Sequence, residues 1–193
     1  MNSKQKIEAL FDRLDHLHRS YQRDFAYAKG LNLRQLEALF FLFSCNKYSN
    51  TPLAMSEYLG LTKGTVSQTI ISLANKNFLL KKRDPDDGRV VHLQLTERGQ
   101  RIVEECREGS VRAKALGSIS ELEGFKESLI ELLQNIQSAN GNRTFGACHT
   151  CKFFRRKGLG PHHQCGLTLE PLLTRESLQI CREHTDCFLT TNN

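Results

Sequence analysis

The segment from Leu61 to Gly99, LTKGTVSQTIISLANKNFLLKKRDPDDGRVVHLQLTERG, constrains this chain more than any other. Thr62 suits an N-cap, its hydroxyl accepting from a free first-turn amide. Val66, Ile70 and Leu73 then fall on one helical face, while Lys63, Thr65, Ser67, Gln68 and Ser72 fall on the other. Alone, this would be an ordinary amphipathic helix with a solvated side. The residues C-terminal to it alter that reading. Phe78 to Lys82 suits a strand, and Val90 to Leu95 a second, with Val91, Leu93 and Leu95 alternating against His92 and Gln94. Asp84-Pro85-Asp86-Asp87-Gly88 supplies strong turn chemistry between them. A polar-faced helix and then a basic hairpin is the order of a winged helix-turn-helix.

In that arrangement the helix enters a DNA major groove and the hairpin lies on the flanking backbone. Lys63, Thr65, Ser67, Gln68 and Thr69 are the expected groove readers; Gln can pair with adenine, and Ser or Thr can bond several base edges. Gly64 would allow close approach to a phosphate. Arg89, just past the hairpin tip, can enter a narrow minor groove, where the potential is most negative. Lys81, Lys82 and Arg83 at the hairpin base can contact phosphates. The aspartates of the turn would repel DNA unless one is engaged, so Asp87 is expected to pair with Arg89 and aim it.

The residues TKGTVSQTIISL, then DPDDGR, then LTERG, resemble the MarR family of bacterial winged-helix regulators. The family's wing typically ends in an acidic residue, any residue and an arginine, here Asp87-Gly88-Arg89. Gly88 stands where many members carry a basic residue, which implies one phosphate contact fewer. The resemblance covers residues 1–139 and implies a homodimer that reads a pseudo-palindromic operator.

The rest of this region fits such a unit. Ile7, Leu10, Phe11, Leu14, Leu17, Tyr21 and Phe25 form one stripe of a first helix running from about Lys4 to Lys29. Asn32 can cap a second helix, and Thr51-Pro52 opens a short third one that ends near Gly60. Thr96 caps a fifth, and Ser120-Glu121-Leu122-Glu123 forms a capping box before a last long helix through Ile136. The stripes of the first and last helices can pack on each other within one chain or build a dimer interface. The dimer is preferred, because a symmetric reader needs its two recognition helices about 34 Å apart.

The fold class expected is therefore mainly α with a small β-wing. It carries dimerisation helices at both ends of residues 1–139, a linker at 140–146, and a Cys-rich module at 147–193. The chain has a net charge of +6, which suits a polyanionic partner such as double-stranded DNA without proving one. No apolar run approaches the roughly 20 residues needed to span a bilayer. The N-terminus has no secretory signal core, so a cytoplasmic protein without a membrane partner is expected.

Five of the seven cysteines lie in the tail: Cys148, Cys151, Cys165, Cys181 and Cys187. In a cytosolic-looking chain they point to metal or redox chemistry rather than to a disulfide scaffold. Cys148-His-Thr-Cys151 is a CxxC knuckle, whose spacing lets two thiolates converge on one metal. The tail is too short to bury much core unaided. An iron–sulfur cluster on Cys148, Cys151, Cys165 and Cys181 is the first choice. Zinc on the same four, or on three of them with His163 or His184, is the second, and a metal-free thiol switch the third. Cys187 is an alternate ligand. Cys45 and Cys106 sit in apolar helical contexts and read as buried, inert thiols.

Together these features predict a transcriptional regulator, repressor before activator, whose tail packs against the dimer helices and responds to redox state, oxygen or metal supply. A small-molecule effector is compatible with it. The rival is a tail acting as an electron-transfer or catalytic module, with the winged helix as a protein-docking platform. Against catalysis, the sequence holds no phosphate-binding glycine loop, no nucleophile elbow and no convincing acid–base pair.

Overall fold

The computed structural model describes residues 1–139 and 145–185. Its first half is helical: α1 Ser3–Ala28, α2 Leu33–Ser44, α3 Pro52–Leu59 and α4 Lys63–Asn75. Next come a two-stranded wing, β1 Leu79–Arg83 and β2 Val91–Leu95, and then α5 Glu97–Glu108, α6 Val111–Leu116 and α7 Leu122–Ala139. The caps legible in the sequence are in place. Asn32, Thr51, Thr62 and Thr96 each accept from a first-turn amide of the helix they precede. Gly60 closes α3 in the left-handed conformation, at φ 62°. The short helix α6 is not marked by any periodicity the sequence offers.

The core forms around α2, whose Leu36, Leu39 and Phe41 are buried. Against them pack Met55 from α3, Val66, Ile70 and Leu73 from α4, Leu79 and Leu93 from the wing, and Ile102 and Val103 from α5. Burial of this apolar surface at about 25 cal/mol per Å² holds α3 and α4 in their helix-turn-helix relation. The wing is antiparallel with Lys81 opposite Leu93. The Leu93 amide also donates to the Asn50 carbonyl at 2.7 Å, which ties the wing to the loop between α2 and α3.

The apolar stripes of α1 and α7 remain uncovered in the protomer. Ile7, Leu10, Leu14 and Leu17 of α1 are exposed, as are Leu122, Ile130, Leu133 and Ile136 of α7. Mutual packing within one chain does not cover them.

The tail is more ordered than its sequence suggests. A 3-10 turn at Cys148–Thr150 leads into an antiparallel sheet of β3 Phe154–Leu159, β4 His162–Cys165 and β5 Pro171–Leu172, and then into the single-turn helix α8 Thr174–Ser177. The tail, expected to pack on the first and last long helices, lies instead on the α2–α3 loop. Backbone bonds run from the Asn46 amide to the Ile180 carbonyl and from the Ile180 amide to the Ser44 carbonyl, both 2.9 Å. Arg182 makes a two-pronged ion pair with Glu57 of α3, at 2.6 and 2.8 Å. The physical reason is that the loop offers unpaired backbone groups beside apolar surface, whereas the helices offer only side chains. Of the linker predicted at 140–146, residues 140–144 lie outside the described residues. Phe145 belongs to the packing: its ring lies edge-on to Phe41 and Tyr58, at 6.5 and 5.2 Å.

Gly99 shows how tightly α5 meets the wing, since a Cβ there would lie 2.1 Å from the Phe78 carbonyl oxygen. Gly99→Ala is expected to destabilise the protein by at least about 1–3 kcal/mol through overpacking. Gly88→Ala, with nothing within 4 Å of its added Cβ, should leave stability nearly unchanged. Urea unfolding midpoints of the two variants test the contrast.

Candidate DNA interface and cysteine centre

Helix α4 presents Lys63, Ser67 and Gln68 to solvent. Lys63 and Ser67 share a surface concavity of about 450 Å³ with Lys81 of the wing and with Pro52 and Leu53 of α3. Two expected readers are placed otherwise. Thr69 is only 8 % exposed and its hydroxyl donates to the Thr65 carbonyl at 2.9 Å, so it faces the core and is removed from the groove-reading set. A mid-helix threonine that bonds back to i−4 in this way has spent its donor. Thr65 is half-buried, and its hydroxyl lies 2.9 Å from that of Thr62, within the N-cap. Ser72 likewise turns inward and accepts from Gln35 at 2.8 Å. Ile71, absent from the expected set, is 40 % exposed. An apolar side chain there can meet a thymine methyl group. Apolar character alone assigns it to the core, and only its helical phase corrects that.

The wing turn is organised by its acids. Asp84 accepts from the amides of Asp86 and Asp87 through Oδ1, at 2.9 and 2.8 Å. Its Oδ2 lies 2.9 Å from His92 Nε2, and His92 Nδ1 lies 2.5 Å from Asn50 Oδ1. His92, one of the polar positions alternating along the second strand, is thus a bridge from the turn to the α2–α3 loop. Asp87 does engage Arg89, which donates to it through Nε at 2.9 Å, Nη2 at 3.0 Å and the backbone amide at 3.0 Å. The Arg89 side chain is 90 % exposed, so the pair orients the guanidinium without burying it. Lys81, Lys82 and Arg83 are all exposed along β1.

These contacts shift the acids. The Asp87 amide, His92 and the Asp86 amide pull Asp84 below its ordinary value, and the Arg89 side chain and amide do the same for Asp87. Depressed carboxylates contribute order that is complete above their ordinary value of 3.8 and is lost as pH falls through the lower folded values. Carboxyl carbon titration by NMR should therefore give midpoints below 3.8 for both. A midpoint at or above that value would contradict the turn described.

In the tail, Cys148, Cys151, Cys165 and Cys181 all line one small cavity of about 20 Å³, walled by Phe153, Phe154, Leu167 and Leu172. None is in a disulfide. Asn46 donates its amide to Cys148 Sγ at 3.2 Å, and the Thr185 amide donates to Cys151 Sγ at 3.5 Å. A hydrogen bond between Cys148 and Cys181 raises the former and lowers the latter, so one thiolate is favoured within the pair. Two sulfurs from the 3-10 knuckle, one from β4 and one from Cys181, with an apolar wall and N–H donors to sulfur, fit a thiolate-bound metal. Among the described residues no three His, Cys, Asp or Glu side chains stand as a ready-made ion-binding group, and the sulfurs share a cavity rather than a point. The alternates are occupied elsewhere. His163 packs on Phe154 with centroids 4.9 Å apart and accepts from the Lys157 amide, and His184 Nε2 lies 2.9 Å from the Thr150 hydroxyl. Cys187 lies outside the described residues. Cys45 and Cys106 are buried; burial pushes Cys45 up to about 12 and raises Cys106.

A third feature is a cavity of about 420 Å³ among α1, α2, α3, α5 and α6, lined in part by Tyr21, Phe40, Tyr58, Arg107 and Arg112. Among the described residues no helix is long and apolar enough to cross a membrane.

Residues 26–106 match the family described as transcriptional regulator SarA/Rot. No curated protein matches the chain. Among solved structures, a mutant of MepR from a multidrug-resistant Staphylococcus aureus isolate is 21% identical with a TM-score of 0.59, covering 68% of this chain and 97% of its own. A MarR transcriptional regulator from Methanosarcina mazei Go1 is 19% identical with a TM-score of 0.57, covering 70% and 99%. A complex of S. aureus MepR with DNA is 20% identical with a TM-score of 0.56, covering 70% and 100%. The fold is that of the MarR-type winged helix, and about 30% of the chain extends beyond these neighbours.

Proposed function

We propose that this winged-helix protein is a homodimeric transcriptional regulator, acting in the cytoplasm as a repressor on a pseudo-palindromic DNA operator. The observation that carries this is the common surface of α4 and the wing: Lys63, Ser67 and Gln68 exposed on the helix, and Arg89 held outward by a bidentate carboxylate at the hairpin tip. Gln68 and Ser67 would read base edges in the major groove, with Ile71 beside them. Lys81, Lys82 and Arg83 would lie on the backbone, and Arg89 in the minor groove. The neighbouring MepR complex with DNA lends support by its fold. The uncovered stripes of α1 and α7 are a large apolar surface of the kind that marks an interface, and a second copy is its simplest cover. A small effector would be accommodated in the cavity lined by Tyr21, Phe40, Tyr58 and Arg107.

The tail would be the regulatory part. Cys148, Cys151, Cys165 and Cys181 would hold an iron–sulfur cluster or zinc, and the bound group would supply the cross-link that a module of this size needs. This chain's own residues prepare for it: Asn46 and the Thr185 amide donate toward sulfur, and Phe153 and Phe154 wall the cavity the sulfurs share.

Arg89→Ala is expected to weaken binding to a duplex and to reduce the steepness of its salt dependence, because one cation–phosphate-region contact is lost. Fluorescence anisotropy across a salt series reads both. Unchanged affinity and slope would remove the wing from the interface. Purification without oxygen, with absorbance and metal analysis, is expected to show either a visible band with iron and sulfide or stoichiometric zinc. An ordered tail with neither would end the metal reading.

A further inference from the structure

We propose that the cysteine centre is wired to the wing: metal held by the tail sets DNA affinity through the loop 46–50 and His92, which position Arg89. This rests on the DNA-binding and metal-binding reading above and specifies its regulation.

The loop between α2 and α3 has one end in the tail and the other in the wing. On the tail side, the Asn46 amide donates to the Ile180 carbonyl at 2.9 Å, its side chain donates to Cys148 Sγ at 3.2 Å, and the Arg182 amide donates to Ser49 Oγ at 2.8 Å. Asn46 and Ser49 are both fully buried there. On the wing side, Asn50 receives the Leu93 amide on its carbonyl and contacts His92 Nδ1 through its side chain. From His92 the relay continues to Asp84, whose other oxygen holds the Asp86 and Asp87 amides, and Asp87 holds Arg89. Thus every step from a cysteine sulfur to the wing-tip guanidinium is a direct hydrogen bond or a step along the backbone of a short loop.

Such a path transmits only if something in it has two states. The tail provides that element. Its own core is too small to hold its shape without the cross-link, so loss of metal would release Ile180 and Arg182 from the loop. Buried polar groups at Asn46 and Ser49 would then seek water, and the loop would leave the position in which Asn50 meets His92. His92 is a positioning residue in this scheme: it touches no DNA, but it fixes the carboxylate that shapes the turn.

The test uses the full-length protein with its metal content measured, either loaded or stripped with a chelator under reducing conditions. The probe is a mixed-sequence duplex at low salt, and amide hydrogen exchange is monitored at 44–50 and 84–90. In the wild type, stripping should lower duplex affinity about 5- to 20-fold, the range of a modest coupling, and speed exchange in both segments. In His92→Ala, and in Asn50→Ala as a second variant, stripping should still speed exchange at 44–50. It should no longer change exchange at 84–90 or affinity. If both variants respond as strongly as the wild type, or if wild-type stripping leaves affinity and wing exchange unchanged, the wiring is overturned alone. A wild type that binds no duplex, or holds no metal, overturns it together with the corresponding part of the proposed function.

Discussion

The exchange of backbone hydrogen bonds between Ser44, Asn46 and Ile180 is the contact on which the arrangement of this protein depends. It joins two units that differ in how they are stabilised. The winged helix has a continuous core around α2. The tail has a small sheet, a 3-10 turn and one helical turn, and among its described residues only Phe145, Cys148, Leu172, Ser177 and His184 are buried. By adding its own backbone to an unpaired loop, the tail borrows the rigidity of the larger unit. Phe145, inserted beside Phe41 and Tyr58, and the Arg182–Glu57 pair close the joint on either side.

This joint falls on the loop between α2 and α3 and, through the Arg182–Glu57 pair, on α3, the first helix of the helix-turn-helix. In the proposed dimer, a ligand site placed on α1 or α7 would act through the relative disposition of two protomers. The cysteine-bearing tail sits instead against the winged-helix unit, with Cys148 on Asn46 and Arg182 on Ser49 and Glu57. The cavity of about 420 Å³ borders this joint, since Tyr58, which lines it, packs edge-on to Phe145.

Much of the winged helix is legible in the sequence because its signals are local. Thr62, Thr96, Asn32 and Thr51-Pro52 announce helix starts through a single side-chain bond, and DPDDG can hardly be anything but a turn. The Asp87–Arg89 pair is also readable, since two residues apart across a turn leaves little choice of partner. Thr69 misleads when hydroxyl chemistry is weighed above helical phase: four residues after Thr65, it bonds backward instead of outward. The tail sheet escapes a reading centred on cysteine spacing, although Gly160-Pro161 between FFRRKGL and HHQC is a turn signal. Its docking site is not readable at all. Asn46 and Ser49 look like ordinary loop polarity, and only a partner more than a hundred positions away explains their burial.

The pairing of Arg89 with Asp87 has a stereochemical corollary. A guanidinium carries five N–H groups in a planar fork, and the carboxylate takes the Nε edge with one of the terminal hydrogens. The opposite rim stays unspent, already flat and already facing outward. An arginine on a free loop would have to freeze several torsions before presenting that rim to a helix of sugars and phosphates. If Arg89 meets DNA as proposed, that freezing is done in advance of the encounter, by the two bonds to Asp87.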